Sequence, residues 1–131
     1  MKEVFSMREI KFRAWLKKEN KMVEVKSLHL GTRKIIYGYS ETSQCYGNKS
    51  CSFDDIELMQ CTDIKDRNGK EIYEGDIFHC GDTKILYIVV WNDNGFEGKQ
   101  VKSSSYCGLE YWKNKIEVIG NIYENSELLE V

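Results

Sequence analysis

Apolar and polar side chains alternate one by one in short stretches of this chain, and Gly, Asn, Asp or Ser cuts each stretch off before it grows long. That period of two restricts the fold more than any other feature, because it places successive side chains on opposite faces of a strand. Before Trp15, Ile10, Phe12 and Ala14 fall on one side and Glu9, Lys11 and Arg13 on the other. The polar run 17–21 reads as a turn and residues 22–25 as a return strand, which together make a hairpin. Residues 27–30 form a further short strand and 35–39 a stronger one, while the polar stretch 40–55 reads as a long exposed loop. Alternation resumes over 56–62. Asp66-Arg67-Asn68-Gly69 follows as a tight turn whose Asn-Gly pair suits a type I′ hairpin.

Further on, residues 72–73, 77–80 and 84–91 read as strands, the last of them central to a sheet. Between the first two, Gly75 allows the bend and Asp76 bonds to nearby backbone. Residues 96–115 hold strands and a serine loop whose register the pattern does not fix. Residues 115–123 are a final strand interrupted at Gly120, and Asn125 or Ser126 caps one helical turn through Leu129. Several short strands joined by tight turns predict a small barrel in the C-terminal half.

The chain has 131 residues, enough for one domain or two small modules sharing a core, and it needs no disulfides to fold. No stretch approaches the length of a membrane-spanning helix and no secretory signal opens it. The five cysteines, Cys45, Cys51, Cys61, Cys80 and Cys107, are therefore expected as free thiols in a reducing cytoplasm. Charge is uneven. Residues 1–34 hold ten Lys/Arg and four Asp/Glu, a balance of +6, which leaves −8 for the remainder of a chain whose net charge is −2. The basic hairpin residues Lys11, Arg13, Lys17, Lys18 and Lys21, with Trp15 among them, are the candidate binding surface. Cations neutralise phosphates, and an exposed indole can stack on a base.

Other chemistries fail on spacing. Structural zinc wants close ligand pairs, but five residues separate Cys45 from Cys51, and adjacent His79 and Cys80 diverge on a strand. The same divergence prevents His79 from activating Cys80. Aligning Gly69 with the sixth position of a calcium loop puts Ile64 first and Gly75 twelfth, where carboxylates are required. The acidic groups Asp54-Asp55 and Glu71, Glu74 and Asp76 sit in turns, without the contrasting environments of an acid/base pair. No catalytic residue, metal or cofactor is expected.

Three segments carry a family resemblance: Met7-Arg8-Glu9-Ile10-Lys11-Phe12-Arg13-Ala14-Trp15; residues 58–77, centred on Thr62-Asp63-Ile64-Lys65-Asp66-Arg67-Asn68-Gly69-Lys70-Glu71-Ile72-Tyr73-Glu74-Gly75-Asp76; and Val118-Ile119-Gly120-Asn121-Ile122-Tyr123-Glu124-Asn125. They resemble the YopX family of small phage and prophage proteins. Cys61 stands where that family often has an aromatic, and Asp63 where it often has glycine. The resemblance implies an all-β fold with an SH3-like barrel in the C-terminal half, a mobile-element origin and a start at Met7. It supplies no activity.

The expectation is thus an all-β, mainly antiparallel protein: a β-rich region over 1–62 and an SH3-like barrel over 63–131, packed as one compact unit. Its first reading is a non-catalytic, cytoplasmic interaction module that associates with itself or with a host or phage protein. Nucleic-acid binding through the basic hairpin is the second, and no membrane is involved.

Overall fold

The structure, a computed structural model, describes residues 9–38 and 48–130. The expectations placed on Met7 and Cys45, on Tyr39 of the predicted strand 35–39, and on residues 40–47 of the predicted loop lie outside that range. The chain is all-β, its strands paired antiparallel throughout, and it divides into two compact units.

Residues 12–60 form the first unit. Its strands are β1 (Phe12–Leu16), β2 (Lys21–His29), β3 (Lys34–Gly38), β4 (Asn48–Ser52) and the first part of β5 (Ile56–Lys65), in the order β4-β3-β2-β1-β5. Period-two alternation builds the core directly. Ala14 and Leu16 point inward from β1, and Val23, Ile35, Tyr37 and Ile56 meet them from the neighbouring strands. Ile10, expected on that same face, is 57% exposed, because the strand starts only at Phe12. The two short strands expected over 22–30 are one strand, β2. A register shift between Val25 and Ser27 bends it against β3 and disguises its continuity in the sequence.

The predicted loop 40–55 also contains a strand. β4 pairs residue by residue with β3, from Lys34 opposite Ser52 to Gly38 opposite Asn48. A single 3-10 turn, Phe53–Asp55, follows it, and the Ser52 hydroxyl caps this turn by accepting from the Asp54 N–H at 3.2 Å.

Residues 61–130, with residues 9–11, belong to the second unit. Here the end of β5 pairs with β6 (Glu71–Tyr73). A five-stranded sheet follows, built from β7 (Asp76–His79), β8 (Tyr87–Asn92), β9 (Gly95–Gln100), β10 (Tyr106–Gly108) and β11 (Glu117–Asn121), in the order β10-β9-β8-β7-β11. One helical turn, α1 (Leu109–Trp112), links β10 to β11, and a 3-10 turn covers Ser126–Leu129. Asn125 precedes that last turn without capping it, because its side chain accepts from the Asn121 N–H at 3.0 Å instead.

The core of this unit is Ile72, Phe78, Val89, Leu109, Ile116 and Val118. Phe78 of β7 reaches over β8, so that its ring lies where a side chain at Gly98 of β9 would stand. The sheet therefore curls strongly over its core. Its edge strands β10 and β11 are not paired with each other among the described residues, so the sheet curls without closing.

Candidate functional site

The basic hairpin is built as its alternation requires, and its cations are drawn to carboxylates from later in the chain. Lys11 Nζ donates to Glu71 Oε1 at 2.6 Å and lies 3.7 Å from Glu9. This bond to Glu71 holds the Lys11 ammonium above its ordinary 10.5, and the same bond holds the Glu71 carboxyl below its ordinary 4.5. Lys17 lies 3.4 Å from Glu57, and Lys18 3.6 Å from Asp55. Arg13 is half-buried, opposite Glu24 on β2 and Met59 on β5, and Trp15 is half-buried opposite Met22 and Glu57. Lys21 is exposed. Arg13, Trp15, Lys17, Lys18 and Lys21 thus share the β1–β2 hairpin, Lys11 falls before its first strand, and much of this charge is already matched.

The remaining chemistry-bearing groups diverge. His79 is buried. Its Nδ1 accepts the Gly81 N–H at 3.1 Å, and its Nε2 lies 3.8 Å from Glu117, whose carboxylate also takes the Arg67 guanidinium. Cys80, one residue past β7, packs instead against the core cluster, as does Cys107. His29 bonds to Ser27 at 3.0 Å. Burial pushes the thiols of Cys51, Cys61 and Cys80 up, and that of Cys107 up to about 12. No three potential metal ligands converge among the described residues.

The acidic turn residues serve the backbone. Asp76 accepts from the Tyr73 N–H at 2.8 Å, beside Gly75 at φ 87°, which is the bend expected of these two residues. Asp66 accepts from the N–H groups of Asn68 and Lys70, each at 2.9 Å, and from that of Val118 at 3.0 Å. These bonds correct the turn type. Gly69 has φ 81° but Asn68 does not enter the left-handed region, so the hairpin is a three-residue loop with glycine last rather than type I′.

One surface feature was absent from the sequence reading. On α1, Leu109 is buried while Tyr111 is 82% exposed. The Tyr111 ring meets Trp112 edge-on with centroids 5.2 Å apart, and Lys115 Nζ stands 5.5 Å from the Trp112 centroid, within cation–π range. With Asn114 these side chains line an open groove of about 260 Å³. Glu110 and Lys113, 2.7 Å apart at i,i+3, were the available sign of a helical turn here.

Two antiparallel sheets, each with an apolar core of its own, define a small all-β protein that carries an aromatic groove and a charge-matched hairpin. Residues 11–130 match the family described as YopX protein, and the chain belongs to that family. It is similar to a solved structure titled "Crystal structure of protein EF1440 from Enterococcus faecalis", at 30% identity and a TM-score of 0.69, with 95% of this chain and 100% of that one covered. A comparison with curated proteins returns no match.

Proposed function

We propose that this chain is a non-catalytic interaction module of a phage or prophage, acting in the cytoplasm, which docks a segment of a partner protein on α1. The exposed Tyr111 ring set edge-on against the half-buried Trp112 is the observation that carries this reading. Half-open aromatic surfaces gain by being covered, and Tyr and Trp dominate the centres of protein interfaces. Lys115 stands over Trp112 with no ion-pair partner among the described residues. The favoured occupant therefore sets an apolar side chain against the rings and a carboxylate against the ammonium. The groove is too small for more than about one side chain, so the remaining contact comes from the surface around it. The curled five-stranded sheet serves as an SH3-like scaffold that keeps α1 in place. Self-association is the same reading with a second copy as partner.

The test is affinity purification from the infected or lysogenic host, with proteins and nucleic acids both identified. Wild type should retain a defined protein that Tyr111→Ala and Lys115→Glu each release, with binding falling at least tenfold, as for an interface hot spot of about 1.4 kcal/mol or more. A partner held equally well by both variants would show that the groove is not the docking surface. Recovery of nucleic acid that is lost on Lys21→Glu would favour the hairpin reading instead.

A further inference from the structure

We infer that Asn94 is a modification site, where the Gly95 nitrogen spontaneously displaces the side-chain amide and water then leaves aspartate or isoaspartate. Asparagine precedes glycine twice in the chain, at 68–69 and at 94–95. Glycine has no Cβ to crowd its nitrogen against the preceding side chain, so both pairs are chemically competent. The fold separates them. In the first pair, the Gly69 N–H donates to the Asp66 carbonyl at 3.0 Å, and the N–H groups of Asn68 and Lys70 donate to the Asp66 carboxylate. Asp66 is itself buried and tied to Val118 of β11, so the Gly69 nitrogen moves toward Asn68 only if a buried residue releases its partners. In the second pair, Asp93 and Asn94 form the two-residue turn between β8 and β9, and both are exposed. Asp93 is strained at φ 56°, and neither side chain has a hydrogen-bond partner among the described residues. Only the end pair of the ladder, Asn92 opposite Gly95, has to open for the Gly95 nitrogen to move.

The chemistry balances with water as the one co-reactant. The Gly95 nitrogen attacks the Asn94 Cγ carbonyl carbon and a new C–N bond forms. The Cγ–Nδ2 bond breaks, and the amide takes the proton given up by the Gly95 nitrogen and leaves as ammonia. The product is a cyclic succinimide. One water then adds to either of its two carbonyl carbons and breaks that carbon's bond to the ring nitrogen. Opening at Cγ restores the ordinary backbone and leaves aspartate, while opening at the main-chain carbonyl leaves isoaspartate, whose backbone runs through Cβ and Cγ. Either way, one asparagine and one water become one acidic residue and one ammonia. Both products add a negative charge to a chain of net charge −2. Isoaspartate also adds a backbone carbon to a two-residue turn. That pulls Asn92 and Gly95 out of register and loosens the next pair, Trp91 and Phe96, whose rings meet edge-on at 5.0 Å. The β8–β9 turn thus changes irreversibly as the molecule ages.

The experiment incubates the full-length protein in mildly alkaline buffer, once folded and once in urea, and follows both asparagine–glycine peptides by mass over time. In the folded protein the Asn94 peptide should gain the mass of deamidation, divided between aspartate and isoaspartate, at least about tenfold faster than the Asn68 peptide. In urea the two rates should converge, because the Asp66 bonds that protect Asn68 are gone. Gly95→Ala should slow the reaction at Asn94 about tenfold or more. That variant keeps the fold, since a Cβ at Gly95 meets nothing within 4 Å and its backbone is not left-handed. Equal rates at the two sites in the folded protein, a faster reaction at Asn68, or an Asn94 that stays intact while it reacts fully in urea would each overturn the inference.

Discussion

Asp63 holds its backbone at φ 64°, a left-handed conformation that costs a residue with a Cβ about 1 kcal/mol. Its side chain is exposed. Glycine at this position removes the strain but also loosens the unfolded chain. Asp63→Gly should therefore stabilise modestly, by about 0.5 kcal/mol, read as a higher urea midpoint at unchanged slope. Three residues on, the balance reverses. Asp66 is only 6% exposed and its carboxylate satisfies three backbone N–H groups, one of them on β11. Asp66→Ala would strand those donors and cost about 2–4 kcal/mol, while Asp66→Asn, which keeps one acceptor, should cost roughly half as much. Equilibrium denaturation separates the two. The Asn-Gly signal at 68–69 located the turn, but its type followed from Asp66. Which N–H groups a carboxylate will capture depends on a strand some fifty residues away, and no local pattern reports that.

Strands that bury one face were legible because their alternation is written in the residues. β1, β5 and β8 all fall within or beside stretches expected as strands. β4 was not, since Asn48, Lys49, Ser50 and Ser52 bury almost nothing and are held by the ladder to β3. β10 and α1 span three and four residues, shorter than the window any periodicity needs. The aromatic groove, which depends on α1, was hidden with them. The divergence expected of His79 and Cys80 has a counterpart in their contacts: His79 ends β7 and its Nδ1 accepts the Gly81 N–H, while Cys80, one residue past the strand, packs on the core cluster. Packing between elements yields a sharp expectation at Gly98. Its hydrogen faces Phe78, a rigid buried ring with no free volume to enter. Gly98→Ala should cost about 1–3 kcal/mol and weaken the near-ultraviolet signal of Phe78 and of Tyr87, stacked on it at 5.3 Å.

Across the whole molecule, the charge asymmetry counted along the chain is largely an artefact of counting in one dimension. Lysines from the basic end meet Asp55, Glu57 and Glu71, all of which the linear count assigned to the acidic remainder. The Lys11–Glu71 pair also sets a pH dependence. Glu71 is lowered from 4.5, so its contribution is complete above that value and disappears as pH falls through the lowered one. Lys11 is raised from 10.5, so its share is complete below that value and is lost as pH climbs through the raised one. Glu71→Gln should flatten the acid limb of the stability curve below 4.5 and leave Lys11 losing its proton earlier on the alkaline side. Chemical denaturation across both limbs checks each half. Both groups are more than a third exposed, so added salt should shrink the difference between variant and wild type.

The tie from Asp66 to Val118, and the pairing of β7 with β11, carry a consequence for how the molecule comes into being. β7, next to the edge of its sheet, finds its last neighbour some forty residues downstream. Until residues 117–121 have left the ribosome, β7 has an open flank and the Asp66 carboxylate lacks one of its three donors. The second unit therefore matures late in synthesis. Its rate is governed by long loop closure, in the slow range typical of non-local β topologies.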